Sequence, residues 1–128
     1  MDYLAPCPAS GCTTVNKEDL KFVKIAQQGL KPTATSSTDW LKGWSMTSIH
    51  NDFKWTFQVP YDLKAGEYVL RHEILALHGG WDTNGAQVYP QCIHLGVTGR
   101  GNTEIKGGGE VADDVLKRGG SGYSYQCL

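Results

Sequence analysis

The sequence predicts an all-β fold, an immunoglobulin-like and fibronectin-like antiparallel β-sandwich. Several short strand-forming segments are separated by Gly- and Pro-containing turns, which is typical of this architecture. No internal repeat is visible, and 128 residues suit one domain. We expect the sandwich over residues 1–101 and a Gly-rich tail, with one possible short helix, over residues 102–128.

Three segments carry the strand prediction. Residues 53–59 alternate aromatic or aliphatic side chains with polar ones, and Pro60 ends the pattern. Residues 67–78 are apolar on both faces towards their end, which predicts a central strand. Residues 87–98 form the next strand, in which Pro90 indicates a bulge or a sheet edge.

The remaining segments are less regular. Residues 1–15 read as a loop, because they contain two Pro and two Cys. Residues 16–29 are ambiguous: Asn16 and Gly29 suit the ends of a helix, whereas residues 20–26 contain strand formers. The family resemblance given below favours the strand.

The loops and the tail follow from turn-forming residues. Residues 31–39 and 79–85 are loops, and the second carries Trp81. Residues 110–118 could form a helix, and residues 121–128 are expected to be extended or mobile.

Charge and hydropathy exclude several classes of partner. The net charge is −1 from 12 basic and 13 acidic residues, so no electrostatic argument supports a nucleic-acid partner. No apolar run approaches the length of a membrane-spanning helix, so no membrane partner is expected. The first residues lack the basic and apolar regions of a signal peptide.

Four cysteines allow three disulfide pairings. A turn-forming segment separates Cys7 from Cys12, which makes a local bridge plausible, and Cys92 with Cys127 would then tie the tail to the sheet. Free thiols and a zinc site are the competing interpretations. Zinc is disfavoured by the spacing and by the absence of a histidine near the first two cysteines.

The most informative stretch reads LRHEILALH at 70–78 and NGAQVYPQC at 84–92. Because side chains alternate along a strand, Gln87 and Tyr89 share one face, and His78 can converge on them if the two strands are neighbours. A tyrosine oxygen and a neutral imidazole are compatible with copper. On chemistry alone, a buried hydrogen-bond network of these three side chains is the commoner outcome.

These two segments closely resemble the C-terminal half of the fungal lytic polysaccharide monooxygenases of auxiliary activity family 9, formerly glycoside hydrolase family 61. The match covers residues 3–101. It implies a secreted copper enzyme that oxidises cellulose or a related β-glucan. It further implies that Tyr89 is the axial copper ligand, that Gln87 and His78 lie beside the metal and move protons, and that Cys92 is a bridging cysteine.

The resemblance also implies a truncated member with long loops. Copper in the family is held by an N-terminal histidine and a second histidine, and no segment of this chain resembles either. Copper binding is therefore expected to be weakened, and a rebuilt site would use His78 and Tyr89 as ligands, with His72, His94 or the Met1 amino group. The alternative is a non-catalytic cellulose-binding accessory protein that assists cellulases; a folded protein without activity is a third possibility.

Exposed aromatic side chains offer a surface for stacking on sugar rings. Trp81, Tyr123 and Tyr125 are the candidates for binding cellulose. A sandwich that lacks strands exposes apolar surface and unpaired edges, so self-association as a homodimer is predicted as well. His72 is interpreted as a structural hydrogen-bonding residue, and Arg71 with Glu73 as a structural pair.

Overall fold

The computed structural model of the chain describes residues 1–29, residue 49 and residues 53–106. The described residues form four strands and a short 3-10 turn at Lys17–Asp19; the strands are β1 (Asp2–Pro6), β2 (Val23–Ala26), β3 (Gly66–Ala76) and β4 (Gln87–Val97). All neighbouring strands are antiparallel, in the order β2-β1-β3-β4. The all-β prediction is therefore confirmed.

Strand β3 organises the sheet, as its apolar faces predicted. It pairs with β1 along Tyr68–His72 on one side and with β4 along its whole length on the other. The predicted strand runs two residues too far, because the chain turns after Ala76 and the amide of Gly80 donates to the carbonyl of Leu77 at 2.9 Å.

The hydrogen bonds of β3 alternate between its two neighbours. Cys7 N donates to Glu67 O at 2.9 Å and Glu73 N donates to Met1 O at 2.8 Å, so odd-numbered residues of β3 face β1. The backbone N–H and C=O groups of the even-numbered residues of β3 therefore bond to β4. In this register they bond to odd-numbered residues of β4, so the backbone groups of the even-numbered residues of β4 point away from β3. Pro90 belongs to this outward set, so its missing N–H costs no bond in the sheet. Among the described strands β4 is an edge, as Pro90 indicated.

Apolar side chains pack on both faces of the sheet. On the Tyr3 face, named after its most buried aromatic residue, the buried cluster comprises Tyr3, Ala5, Cys12, Leu20, Phe22 and Val69. On the opposite Leu4 face, the buried cluster comprises Leu4, Leu63, Tyr68 and Leu70. The short strand β1 contributes to both clusters, because its successive side chains point to opposite faces of the sheet.

The prediction of a loop over residues 1–15 is wrong at its start. Asp2–Pro6 forms β1, and residues 2–5 are fully buried. The two prolines suggested a loop, but Pro6 only ends the strand. The segment is a strand because it pairs with β2 and β3, which are distant in sequence.

The prediction of a strand over residues 53–59 is also wrong. The segment belongs to no strand, and Phe53 is 88% exposed. Its alternation is nevertheless present: Trp55, Phe57 and Val59 are half-buried, whereas the residues between them are exposed. Phe57 and Val59 pack against the Leu4 cluster. An extended chain lying on the sheet therefore produces the pattern of a strand without its hydrogen bonds.

The helical and the strand interpretations of residues 16–29 are each correct in part. A 3-10 turn occupies Lys17–Asp19, and Asn16 Oδ1 accepts a hydrogen bond from Glu18 N at 3.3 Å. The strand that follows is shorter than the predicted residues 20–26 and begins at Val23. The predicted helix over residues 110–118 lies outside the described residues.

The start of the tail is attached to residues 62–64, which precede β3. Thr103 and Gly101 form isolated parallel bridges with Leu63 and Lys64. Asp62 accepts hydrogen bonds from Asn102 N at 3.1 Å and from Thr103 Oγ1 at 2.7 Å, and these bonds lower the pKa of Asp62. The division at residue 101 stays a prediction.

A disulfide joins Cys7 to Cys12, with 5.1 Å between their Cα atoms. Cys92 is disulfide-bonded as well, and its predicted partner Cys127 lies outside the described residues. In the part of the chain that the structure describes, no helix is long and apolar enough to cross a membrane.

Candidate functional site

Three of the predicted site residues lie at one end of the β3–β4 hairpin. Gln87 opens β4 opposite Ala76, and Tyr89 stands opposite Ile74 two residues later. The two side chains therefore project from the Leu4 face, as the alternation predicted. His78 follows the end of β3 by two residues and is exposed.

A hydrogen bond couples Tyr89 to Gln87. The Tyr89 hydroxyl donates to Gln87 Oε1, and 51% of Tyr89 is exposed. The bond uses the phenolic proton and the amide oxygen. It leaves the lone pairs of the Tyr89 oxygen and the two amide protons of Gln87 for a further ligand. A phenol and a primary amide are thus held side by side on an accessible surface.

The hairpin loop closes on two glycines. A Cβ atom on Gly85 would lie 1.8 Å from the carbonyl oxygen of Gly79, so no larger residue fits there. Asp82 N donates to Gly79 O at 3.1 Å, and Gly85 N donates to Asp82 O at 3.0 Å. This neck brings His78 to the same end of the hairpin as Gln87. No described hydrogen bond joins His78 to Gln87 or Tyr89, so the predicted convergence is one of location and not of contact.

Trp81 stands at the tip of the loop. Its side chain is 81% exposed, and the turn around it is formed by backbone hydrogen bonds. The predicted exposure is therefore observed, whereas a contact with substrate stays a prediction. Tyr123 and Tyr125, the other predicted substrate-binding residues, lie outside the described residues.

The residues of this site do not complete a copper centre by themselves. The described part of the chain holds no cluster of three or more His, Cys, Asp or Glu able to bind a metal ion. The hairpin end contributes one imidazole, one phenol and one amide. Copper(II) prefers several nitrogen donors in a tetragonal arrangement. The described end of the hairpin therefore offers oxygen donors and one nitrogen donor, which is fewer nitrogen donors than copper(II) prefers.

His72 has a structural role, as predicted. Its Nδ1 lies 2.7 Å from Asp2 Oδ1, and its ring contacts that of Trp55, with 5.5 Å between the centroids and a tilt of 37°. Trp55 Nε1 donates to both oxygens of the same carboxylate at 3.1 Å. The fully buried Asp2 is thus stabilised by two ring donors. Asp2 was missed in the sequence, because nothing near it in the chain indicates that it pairs with His72.

Arg71 and Glu73 form the predicted structural pair. Arg71 Nε lies 2.9 Å from Glu73 Oε1, and both side chains are almost fully buried on the Tyr3 face. The guanidinium stacks over the rings of Phe22 at 4.1 Å and Tyr3 at 4.9 Å. Burial raises the pKa of Glu73, and the charge of Arg71 opposes that shift.

The other histidines lie away from the hairpin end or outside the described residues. His94 is exposed on β4 opposite Val69, and its side chain projects from the Tyr3 face, opposite to that of Tyr89. It therefore does not join His78 as a ligand. His50 lies outside the described residues.

The antiparallel sheet of this chain has a counterpart in solved structures of β-sandwich proteins. A glycoside hydrolase family 61 member, Cel61B from Hypocrea jecorina, superposes with a TM-score of 0.71 at 38% identity, over 84% of this chain and 44% of that one. The predicted sandwich is therefore confirmed.

The family follows from the sequence match. The model of Auxiliary Activity family 9 (formerly GH61) matches residues 1–122, and the chain belongs to this family. Lytic polysaccharide monooxygenase D of Podospora anserina is 45% identical over 84% of this chain. Lytic polysaccharide monooxygenase G of Emericella nidulans is 47% identical over the same share. The chain spans 30% and 38% of the lengths of these two relatives.

Proposed function

We propose that this chain acts in polysaccharide degradation, as a truncated copper-dependent monooxygenase-like protein that oxidatively cleaves or loosens cellulose or a related β-1,4-glucan. The observation that carries the proposal is the exposed pair of Tyr89 and Gln87 beside His78 in a chain of this family. We propose a secreted location for the same reason, and it agrees with the disulfide between Cys7 and Cys12.

Each residue has a proposed task. The Tyr89 oxygen, through its lone pairs, would be one of the atoms that hold a metal ion, and the Gln87 amide would donate a hydrogen bond to a ligand beside it. The exposed imidazole of His78 would hold or release a proton at the same end of the hairpin. Copper, when bound, supplies the one-electron redox chemistry. Because the described end of the hairpin offers one imidazole, we expect these residues to bind copper weakly.

Substrate binding is assigned to the loop tip. The exposed face of Trp81 suits stacking against a pyranose ring, and the loop places it at the same end of the hairpin as Tyr89. Tyr123 and Tyr125 are proposed as further contacts. A flat polysaccharide surface would then lie across the end of the hairpin.

The test is mass spectrometry of the products released from amorphous cellulose in the presence of copper and ascorbate. Ascorbate is needed because a monooxygenase consumes electrons as well as oxygen. We expect oxidised oligosaccharides above the free-copper background, and we expect them to disappear with Tyr89→Phe, with His78→Ala and with EDTA. Products that persist in Tyr89→Phe, or that never exceed background, would contradict the enzyme proposal.

The exposure of Trp81 favours one second function, a cellulose-binding accessory protein without redox chemistry. Such a protein would bind cellulose equally well with and without EDTA. Trp81→Ala would reduce the bound fraction in a pull-down assay, whereas Tyr89→Phe would leave it unchanged. Binding that requires copper would contradict this alternative.

A further inference from the structure

The hairpin loop contains an asparagine followed directly by a glycine, Asn84 and Gly85. In such a pair the backbone nitrogen of the glycine can attack the side-chain amide of the asparagine, because glycine has no side chain to hinder the approach. Asn84 is exposed, so water reaches it. The other asparagines of the described residues, Asn16 and Asn102, precede residues that carry side chains. Asn84 is therefore the described asparagine with the highest intrinsic reactivity.

The closed loop holds both reacting groups in other contacts. Gly85 N donates to Asp82 O at 3.0 Å, so the attacking nitrogen is engaged. Asn84 has a φ of 64°, in the left-handed region that asparagine tolerates in tight turns, and it makes a further interaction as well. The nitrogen has to leave the Asp82 carbonyl before it can reach the side chain of Asn84. The reaction therefore requires local opening of the loop.

The neck formed by Gly79 and Gly85 has no spare room. A Cβ atom on Gly79 would lie 2.7 Å from Gly85 O, and one on Gly85 would lie 1.8 Å from Gly79 O. The two backbones are already in contact. A main chain that becomes longer at this point cannot be accommodated in the closed neck.

We propose that Asn84 is a site of spontaneous deamidation, which occurs when the neck opens and whose isoaspartate product keeps it open. In the first step a bond forms between Gly85 N and Asn84 Cγ, the Cγ–Nδ2 bond breaks, and ammonia leaves with the amide proton of Gly85. In the second step water adds to one of the two carbonyl groups bonded to Gly85 N and opens the cyclic imide. The products are aspartate and isoaspartate, and neither step needs an oxidant or a reductant.

The two products differ in what they do to the loop. In isoaspartate the main chain runs through the former side chain of Asn84 and is one atom longer, so the contact of Gly85 with Gly79 cannot be restored. Aspartate keeps the original main chain, and the neck closes again. Both products add a carboxylate close to Asp82, in the exposed segment that carries Trp81. The modification therefore changes the loop to which substrate binding is assigned.

The test follows deamidation in the folded chain and in the same chain unfolded in guanidinium chloride, both incubated at mildly alkaline pH. Peptide mapping by mass spectrometry locates the conversion of amide to acid, and enzymatic methylation identifies isoaspartate. We expect Asn84 to react before Asn16 and Asn102 in the unfolded chain. In the folded chain its rate should be at least about tenfold lower, as for a loop that is open less than about one tenth of the time.

A matched pair of substitutions tests the neck itself. Gly79→Ala places a Cβ atom 2.7 Å from Gly85 O, so it should hold the neck open and raise the rate in the folded chain towards that of the unfolded chain. Gly96→Ala is the control, because a Cβ atom there would meet nothing within 4 Å, and it should leave the rate unchanged. If Gly79→Ala does not fold, the comparison of the folded with the unfolded chain decides.

Hydrogen exchange at the amide of Gly85 tests the effect of the product. This amide should be protected in the unmodified chain, where it donates to Asp82 O, and should exchange rapidly in the purified isoaspartate form. Asn84→Asp carries the same added charge on an unaltered main chain, and it should keep the protection.

Three results would overturn the proposal. The first is an Asn84 that reacts no faster than Asn16 and Asn102 in the unfolded chain. The second is an equal rate at Asn84 in the folded and the unfolded chain, or in folded Gly79→Ala and Gly96→Ala. The third is an isoaspartate form whose glycine amide in the neck is as well protected as before. All of these readouts are made without copper or cellulose, so the proposed function stands or fails separately.

Discussion

The middle of β3 and the loop that follows the strand use the same kind of side chain in opposite ways. At His72, where β1 and β4 flank the strand, the imidazole is held by the buried Asp2 carboxylate and contacts the ring of Trp55. At His78, beyond the end of the strand, the imidazole is exposed. Six residues apart, one histidine stabilises the fold and the other is accessible to chemistry. Flanking strands, and not residue type, decide which role a polar side chain takes.

The largest expected effect concerns the buried pair on the Tyr3 face. Arg71→Met leaves the buried Glu73 carboxylate without its cation and removes the stacking on Phe22. We expect the free energy of unfolding at neutral pH to fall by about 3–5 kcal/mol. Urea denaturation measures it. The control is Lys64→Met, which breaks the exposed pair with Glu104 and should cost little.

The same variant makes a prediction about pH. Burial raises the folded-state pKa of Glu73 above its ordinary value. The stabilisation associated with the protonated carboxyl is therefore complete below the ordinary pKa and is lost as the pH rises through the raised one. Without Arg71 the pKa of Glu73 should rise further. The free energy of unfolding that Arg71→Met loses relative to the unsubstituted chain should therefore become smaller on acidification. A loss of unfolding free energy that is constant with pH would show that the ion pair is not its cause.

An intermediate effect comes from comparing the two histidines of β3 and its loop directly. His72→Ala deprives the buried Asp2 of a donor and should lower the free energy of unfolding by about 1–3 kcal/mol. His78→Ala, at an exposed position, should change it by less than about 0.5 kcal/mol. Thermal and urea unfolding of the two variants, measured side by side, give the comparison. Equal losses would mean that the hairpin end contributes to stability as much as the sheet does.

The smallest effect on stability is expected at the candidate site. Tyr89→Phe removes an exposed hydrogen bond and should change the free energy of unfolding by less than about 0.5 kcal/mol. It should nevertheless shift the NMR resonances of the Gln87 side-chain amide, because that amide loses its donor partner. Tyr61→Phe, at a residue that is 97% exposed, is the matched control and should leave those resonances unchanged. Unchanged Gln87 resonances in Tyr89→Phe would contradict the coupling.

The sequence predicted the strands whose evidence is local. Strands β3 and β4 combine β-branched residues, alternation and a Gly-rich connection, and each was placed to within two residues at both ends. The pairing of Gln87 with Tyr89 followed from that alternation. For the same reason the Arg71–Glu73 pair could be anticipated, since residues two apart on a strand share a face.

The features that the sequence did not predict depend on residues that are distant in the chain. Strand β1 exists because β2 and β3 enclose it, and its own residues include a proline. The buried Asp2 was invisible for the same reason, because its partners His72 and Trp55 are 70 and 53 residues away. Residues 53–59 show the converse error, since a pattern of burial reports which side chains face the sheet and says nothing about backbone pairing.

The contact between Gly79 and Gly85 separates the loop tip from the rest of the hairpin. Every side chain at these two positions is excluded, whereas positions 80–84 between them lie on an exposed turn. The segment can therefore serve as an exchangeable cassette. A library of tips that carry other aromatic or polar residues in place of Trp81 could be inserted without altering the strand register, so that new binding properties could be selected while the fold is kept.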